Sequence, residues 1–208
     1  MSGAFDGEAR LGLIGPAHDD DASVHAAIRT LIARAAHVVY LGDDEAARRA
    51  ARRWAEELAP GLATEDRWVD EAARLAATGS AAQLEALLER RRALAPLYRV
   101  RELPPGRGRA IEIIAGRIVT LVHDKAWLDE DDVANSTLLV YGRSDEPVLR
   151  RFGPRWFFTP GPLRLGRIGL VEADASGQLG LELLEVGGQT LWREQCATGP
   201  QARMSVQP

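Results

Sequence analysis

The sequence predicts an α/β fold in which two sheets pack face to face with helices outside them, a four-layer α-β-β-α sandwich carrying a helical insert. Three features predict it. A strand-helix-strand pattern fills residues 11–41, helical periodicity runs from Asp44 to Pro96, and seven strand-like runs come after Pro104-Pro105. Parallel strands need a long crossover and antiparallel strands only a tight turn, so the first pattern reads as a β-α-β unit and the last mostly as hairpins.

Leu11–Ile14 is a short apolar run stopped by Gly15-Pro16, which marks a buried strand ending at a sharp turn. Val24, Ile28, Leu31, Ile32 and Ala35 then recur at helical spacing, with Asp20, Asp21 and Ser23 offering capping oxygens near the start. Val38–Leu41 is the second strand, ended by Gly42-Asp43. Farther on, Ala46, Ala50, Trp54 and Leu58 share one helical face, and Leu84, Leu87, Leu88 and Leu94 lie along a later one. Pro60-Gly61 and Thr78-Gly79 divide this stretch into about three helices, the last opened by Ser80 and Gln83 at capping-box spacing. The strand-like runs are Ala110–Ile114, Arg117–Val122, Leu138–Tyr141, Trp156–Phe158, Arg167–Glu172, Leu179–Val186 and Gln189–Trp192. Ala115-Gly116, Ser176-Gly177 and Gly187-Gly188 fall between neighbouring runs and predict hairpins. Met1–Glu8 and Thr198–Pro208 lack periodic apolar residues and are expected to fray.

At 208 residues the chain suits one domain, residues 1–208, with a core over about 10–193 and the insert over about 60–100. Hydrophobic residues make up 46% and charged residues 27%, too apolar for disorder. A formal charge of -4 argues against a dedicated nucleic-acid binder, since phosphate backbones reward a concentrated basic surface. The single cysteine, Cys196, rules out an internal disulfide or a thiolate metal site and points to the reducing cytoplasm. Neither a basic-then-apolar leader nor a run approaching roughly 18 apolar residues occurs, so no secretion or membrane insertion is expected.

Chemistry in an α/β fold collects where strands end. Five polar stops each close a predicted strand: Gly15-Pro16-Ala17-His18, Gly42-Asp43, His123-Asp124, Gly142-Arg143-Ser144-Asp145 and Thr159-Pro160-Gly161-Pro162. Their order resembles the calcineurin-like metallophosphoesterases, in particular the small bacterial phosphodiesterase branch, whose motifs run D-x-H, G-D, G-N-H/D, H-G, G-H-x-H and N-P-G-S. The resemblance spans roughly residues 10–193. It implies paired divalent ions that clamp a phosphate and activate a bridging water. His18, Asp43 and His123 match the motifs, whereas Pro16 replaces the first aspartate, Arg143 and Asp145 replace two histidines, and Asp124 replaces a glycine. Within Val100–Pro105, Leu103 stands for the metal-binding asparagine.

The resemblance therefore implies a first ion site reduced to His18, Asp43 and Asp145, and a second reduced to Asp43 and His123 with the Arg143 guanidinium where its ion belongs. A fixed positive charge strongly disfavours a cation at close range in a poorly screened site. Such a centre would hold one divalent metal (manganese, zinc, iron or magnesium) or none, in a diverged protein that leans away from catalysis: a pseudoenzyme working as a binding or regulatory module. The alternative is a single-metal phosphodiesterase or phosphatase using His18, Asp43 and Asp145, with Arg143 holding phosphate and His123 as general acid. Arg143 could also hold a phosphorylated small molecule without any metal, or pair with Asp43, Asp145 or Asp124 and close the pocket. The insert either covers one sheet or docks a protein partner.

Plainer readings accompany each of these. His18 is also an ordinary surface or capping histidine, and Asp43-Asp44-Glu45 also a negatively charged helix start. The arginines at 48, 49, 52 and 53 lie three or four residues from Glu45, Glu56 and Glu57, which predicts a solvated ion-pair face. Gly106–Arg109 reads as a connecting loop, Cys196 as inert, and Trp54, Trp156 and Trp192 as packing residues.

Overall fold

Strands β1 (Leu11–Ile14) and β2 (His37–Tyr40) are joined by helix α1 (Asp21–Ile32), and they pair in parallel as expected. The computed structural model describes residues 10–196, so the expectations for Met1–Glu8 and Thr198–Pro208 lie outside the described residues. Asp20 caps α1, its carboxylate accepting from the Ser23 main-chain N–H and hydroxyl. Three helices come next, α2 (Ala46–Leu58), α3 (Glu65–Thr78) and α4 (Ala81–Ala93), broken at Pro60-Gly61 and Gly79; α4 opens with the Ser80/Gln83 capping box. Beyond them come β3 (Val100–Glu102), β4 (Arg109–Ile114), β5 (Arg117–Val122), α5 (Glu130–Asn135), β6 (Leu138–Tyr141), β7 (Val148–Phe152), β8 (Arg155–Thr159), β9 (Arg167–Ala173), β10 (Leu179–Glu185) and β11 (Thr190–Cys196).

The strands form a six-stranded sheet in the order β11-β10-β9-β1-β2-β3 and a five-stranded sheet in the order β4-β5-β6-β8-β7. All three expected hairpins are antiparallel pairs. Leu13 and Val39 point between the sheets, where they meet Leu121, Val140 and Phe158, while Ile14, Val38 and Tyr40 point to the other face and meet Val24, Ile28 and Leu31 of α1. Burial on both faces explains why these strands read as continuous apolar runs rather than alternating ones. Trp156 and Trp192 pack on the inter-sheet core and Trp54 on the helical layer. Helices α2–α4 enclose an apolar cluster of their own, including Ala59, Leu62, Leu75 and Leu87.

Three elements escape the sequence reading. β3 is only three residues long, β7 is interrupted by Arg150 and Arg151, and α5 is a six-residue helix between acidic residues, so none offers enough apolar periodicity to register. The arginine stripe on α2 also behaves differently from expectation. Arg48 pairs with Glu45 but also with Glu102 at the end of β3, while Arg49 reaches Asp19 at 2.9 Å and Arg53 reaches Asp21 at 2.8 Å. The stripe thus ties α2 to the start of α1, because the acidic residues there face it across the gap. Among the described residues no helix is long and apolar enough to cross a membrane.

The β4–β5 turn holds both central residues at positive φ, 48° for Ala115 and 73° for Gly116. A left-handed alanine is strained by about 1 kcal/mol, whereas asparagine tolerates that region. Replacing it, Ala115→Asn, should raise the unfolding free energy by about 0.5–1 kcal/mol, seen as a higher urea midpoint at unchanged slope; a lower midpoint would contradict the turn assignment.

Candidate functional site

The loops after β1, β2, β5 and β6 meet at one rim, and main-chain contacts fix them to each other. Leu41 N–H donates to Ile14 O at 2.8 Å, Arg143 N–H donates to His123 O at 2.7 Å, and Leu163 N–H donates to Pro16 O at 2.9 Å. Two glycines permit the closest crossings: a Cβ on Gly15 would lie 1.8 Å from Gly161 O, and one on Gly142 would lie 2.2 Å from Leu41 O. Between these loops opens a cleft of about 370 Å3, walled by Pro16, Leu41 and Trp127 and carrying His18, Asp43, His123, Asp124 and Arg143.

His18 is exposed and sits at φ 51°, with Asp19 after it at φ 69°. Two successive left-handed residues without glycine cost on the order of 1–2 kcal/mol each and persist only where their surroundings impose them. The surroundings here are Tyr40 and Asp44. The fully buried Tyr40 hydroxyl accepts from Ala17 N–H at 2.9 Å and donates to Asp44 Oδ1 at 2.7 Å. Asp44 Oδ1 also accepts from Ala46 N–H, Oδ2 accepts from Asp19 N–H at 3.1 Å, and Arg49 holds the Asp19 carboxylate. Burial, then the bond to Asp44, raises the Tyr40 pKa well above its ordinary value. For Asp44, burial opposes the charged form, but the bonds from Tyr40, Ala46 and Asp19 and the nearby Arg49 outweigh it and hold the pKa below the usual carboxylate range.

His123 is 6% exposed, with Nδ1 3.0 Å from Leu41 O and Nε2 3.3 Å from Pro104 O. Both ring nitrogens therefore face main-chain carbonyls, and a neutral ring, with one N–H, donates to one of the two. Arg143 pairs with Asp124 at 3.1 Å; its side chain is 82% exposed while that of Asp124 is 16% exposed. Of the three carboxylates weighed as its partner, Asp124 is the one it meets. Asp145 lies outside the cleft and lines a neighbouring depression with Lys125, Tyr141 and Arg150. Leu103 is 5% exposed and packed in the inter-sheet core.

The structure thus brings His18, Asp43, His123 and Arg143 to one cleft and leaves Asp145 beside it. Among the described residues no three His, Cys, Asp or Glu side chains stand where they would hold an ion. The sequence reading gives Tyr40 and Asp44 no place in the site. A signal was available in Tyr40 itself, since a tyrosine ending a buried strand needs a partner for its hydroxyl.

No protein-family model matches the sequence, and no curated protein matches it. By fold the chain is similar to a predicted phosphoesterase from Streptococcus pneumoniae, with a TM-score of 0.54 and 12% identity over 91% of this chain and 97% of that one. It is also similar to an archaeal phosphodiesterase (TM-score 0.49, 13% identity, 84% and 99% covered) and to Vps29 of Entamoeba histolytica complexed with zinc (TM-score 0.47, 14% identity, 90% and 99% covered). The first of these likenesses shows that the two-sheet architecture is metallophosphoesterase-like, the fold that the strand-end motifs imply.

Removing the Tyr40 hydroxyl, Tyr40→Phe, should lower stability by about 1–3 kcal/mol by stranding the Ala17 N–H and one Asp44 oxygen. Since the folded Asp44 carboxylate is held below its ordinary value, its contribution is complete above about pH 4 and fades as pH falls through the folded value. Urea titrations across acid pH should therefore show the gap between wild type and Asp44→Asn narrowing on acidification; a gap that widens would refute the assignment.

Proposed function

We propose that this chain is a diverged metallophosphoesterase-fold protein with an incomplete two-metal site, working as a binding module whose ligand is a phosphorylated small molecule seated in the strand-end cleft. The observation that carries the proposal is His123. The one residue matching an imidazole ligand of the second ion has both nitrogens against the carbonyls of Leu41 and Pro104, where it ties two loops together. Whichever nitrogen carries the single N–H of a neutral ring, a main-chain carbonyl oxygen stands at 3.0 or 3.3 Å in front of each, on the side from which a metal would have to approach.

The rest of the cleft suits an anion held by protein groups. Arg143 is anchored at one nitrogen by Asp124 and otherwise open to solvent, so several guanidinium donors remain for phosphate oxygens. His18, which lines the same cleft, is the candidate second contact. Asp43 and Asp124 repel excess negative charge, which favours a singly charged phosphodiester over a doubly charged monoester. The competing reading, a single-ion hydrolase using His18, Asp43 and Asp145, requires Asp145 to leave the depression it lines and enter the cleft. Helices α2–α4 remain a surface to examine for a protein partner.

Metal content after purification without chelator, turnover of a generic phosphodiester in added manganese, and thermal protection by the same diester together test the proposal. Expected are substoichiometric metal, no turnover, and a rise in melting temperature that Arg143→Ala abolishes. A stoichiometric ion with turnover lost in Asp43→Ala would overturn it.

A further inference from the structure

An edge strand leaves main-chain N–H and C=O groups unpaired, and folds commonly blunt such edges with short strands, charge or bulges. The two sheets end in β11, β3, β4 and β7. β3 has three residues, β7 carries Arg150 and Arg151 in succession, and β11 carries Arg193 and Glu194 and breaks register with β10 between Leu183 and Leu184. β4 is neither short nor broken in register, and its two charges, at 109 and 112, are not adjacent. Its six residues pair with β5 in unbroken register, and Ile111 and Ile113 are 59% and 68% exposed. Its two charged residues are already engaged within the chain, Arg109 with Asp129 and Asp132 and Glu112 with Arg101.

The turn fixes which groups face outward. Ile114 and Arg117 flank the two-residue turn with both central residues at positive φ, which closes on a hydrogen-bonded pair. Alternation from that pair directs the N–H and C=O groups of Arg109, Ile111 and Ile113 away from β5. Among the described residues no strand or loop takes them up.

We infer that β4 pairs antiparallel with β4 of a second copy of this chain, about a two-fold axis at Ile111, joining the two five-stranded sheets into one. Charge and burial select the register. Centring on Ile111 sets it against its own copy and Ile113 against Arg109 on the outer face, and Ala110 against Glu112 on the inner face. Centring on Glu112 would oppose two carboxylates, centring on Ala110 would leave Ile113 outside, and a parallel pairing would align each charge with its like, all of which are disfavoured. The contact is isologous and closes on itself.

Sedimentation equilibrium of the full chain over a range of concentrations reads the association directly. Expected is a dimer that Ile111→Lys weakens about ten-fold or more by opposing two ammonium groups at the axis, with an unchanged circular dichroism spectrum. Oxidation tests the register. Ile111→Cys should yield a covalent dimer, because residues of a hydrogen-bonded pair have Cα atoms about 5.5 Å apart, within disulfide reach. Ile113→Cys should not, since the offset separates its two copies by roughly 15 Å. The native thiol does not compete, as Cys196 is buried and burial, with Glu194 nearby, pushes its pKa up to about 12. A chain that stays monomeric at every concentration, including one whose edge accepts only a strand of another protein, overturns the inference. So does a dimer indifferent to Ile111→Lys, or cross-linking at 113 equal to that at 111.

Discussion

A hydroxyl at the end of a strand buried on both faces must be hydrogen-bonded, and in this chain that requirement organises the rim where the loops meet. Tyr40 is wholly buried, so its oxygen is satisfied only by polar groups from the two loops above it, Ala17 N–H from one and Asp44 from the other. An unpaired donor or acceptor there would cost about 1–3 kcal/mol, enough to offset much of the strain in the left-handed residues His18 and Asp19. The same contact therefore satisfies the core and fixes the direction of the His18 loop. It also accounts for Gly42, because a Cβ at that position would lie 2.3 Å from the tyrosine oxygen.

Two of the positions that depart from the metallophosphoesterase motifs have a packing or main-chain role. Pro16 presents its carbonyl to Leu163 N–H and walls the cleft. Leu103 fills the space between the sheets, where a polar asparagine would need a partner. His123 keeps the residue type of the motif, but its ring joins the β2 and β5 ends to the loop before β4.

Much of the fold was legible because burial leaves a pattern: β1 and β6 are apolar throughout, β2 and β5 are mostly so, and the glycine-containing turns between β4 and β5, β9 and β10, and β10 and β11 punctuate the second half. β3 and β7 were not, because a three-residue strand and an arginine-bearing edge gain their shape from a neighbour rather than from their own sequence. The cleft was half legible. His18, Asp43, His123 and Arg143 could be assigned to strand ends from the motif order, but spacing along the chain does not say which side of a loop a side chain takes. Asp145, two residues from Arg143, faces the neighbouring depression. The α2 arginines show the same limit, since their partners at Asp19 and Asp21 lie on another element that sequence proximity does not reveal.

Electrostatics completes the account of the cleft. A site that holds a metal pair must keep several carboxylates uncompensated until the ions arrive, and the resulting repulsion weakens the empty fold. Here the acids near the rim are answered from within: Asp124 by Arg143, Asp19 by Arg49, and Asp44 by the Tyr40 hydroxyl, main-chain N–H groups and Arg49. Asp43 is the cleft acid with no such answer among the described residues. Within the cleft a dication would compete with Arg143 for Asp124 but would meet Asp43 unpaired. An anion meets the opposite situation, because Arg143 reaches solvent while its carboxylate partner is largely covered, so the guanidinium is oriented before any ligand arrives.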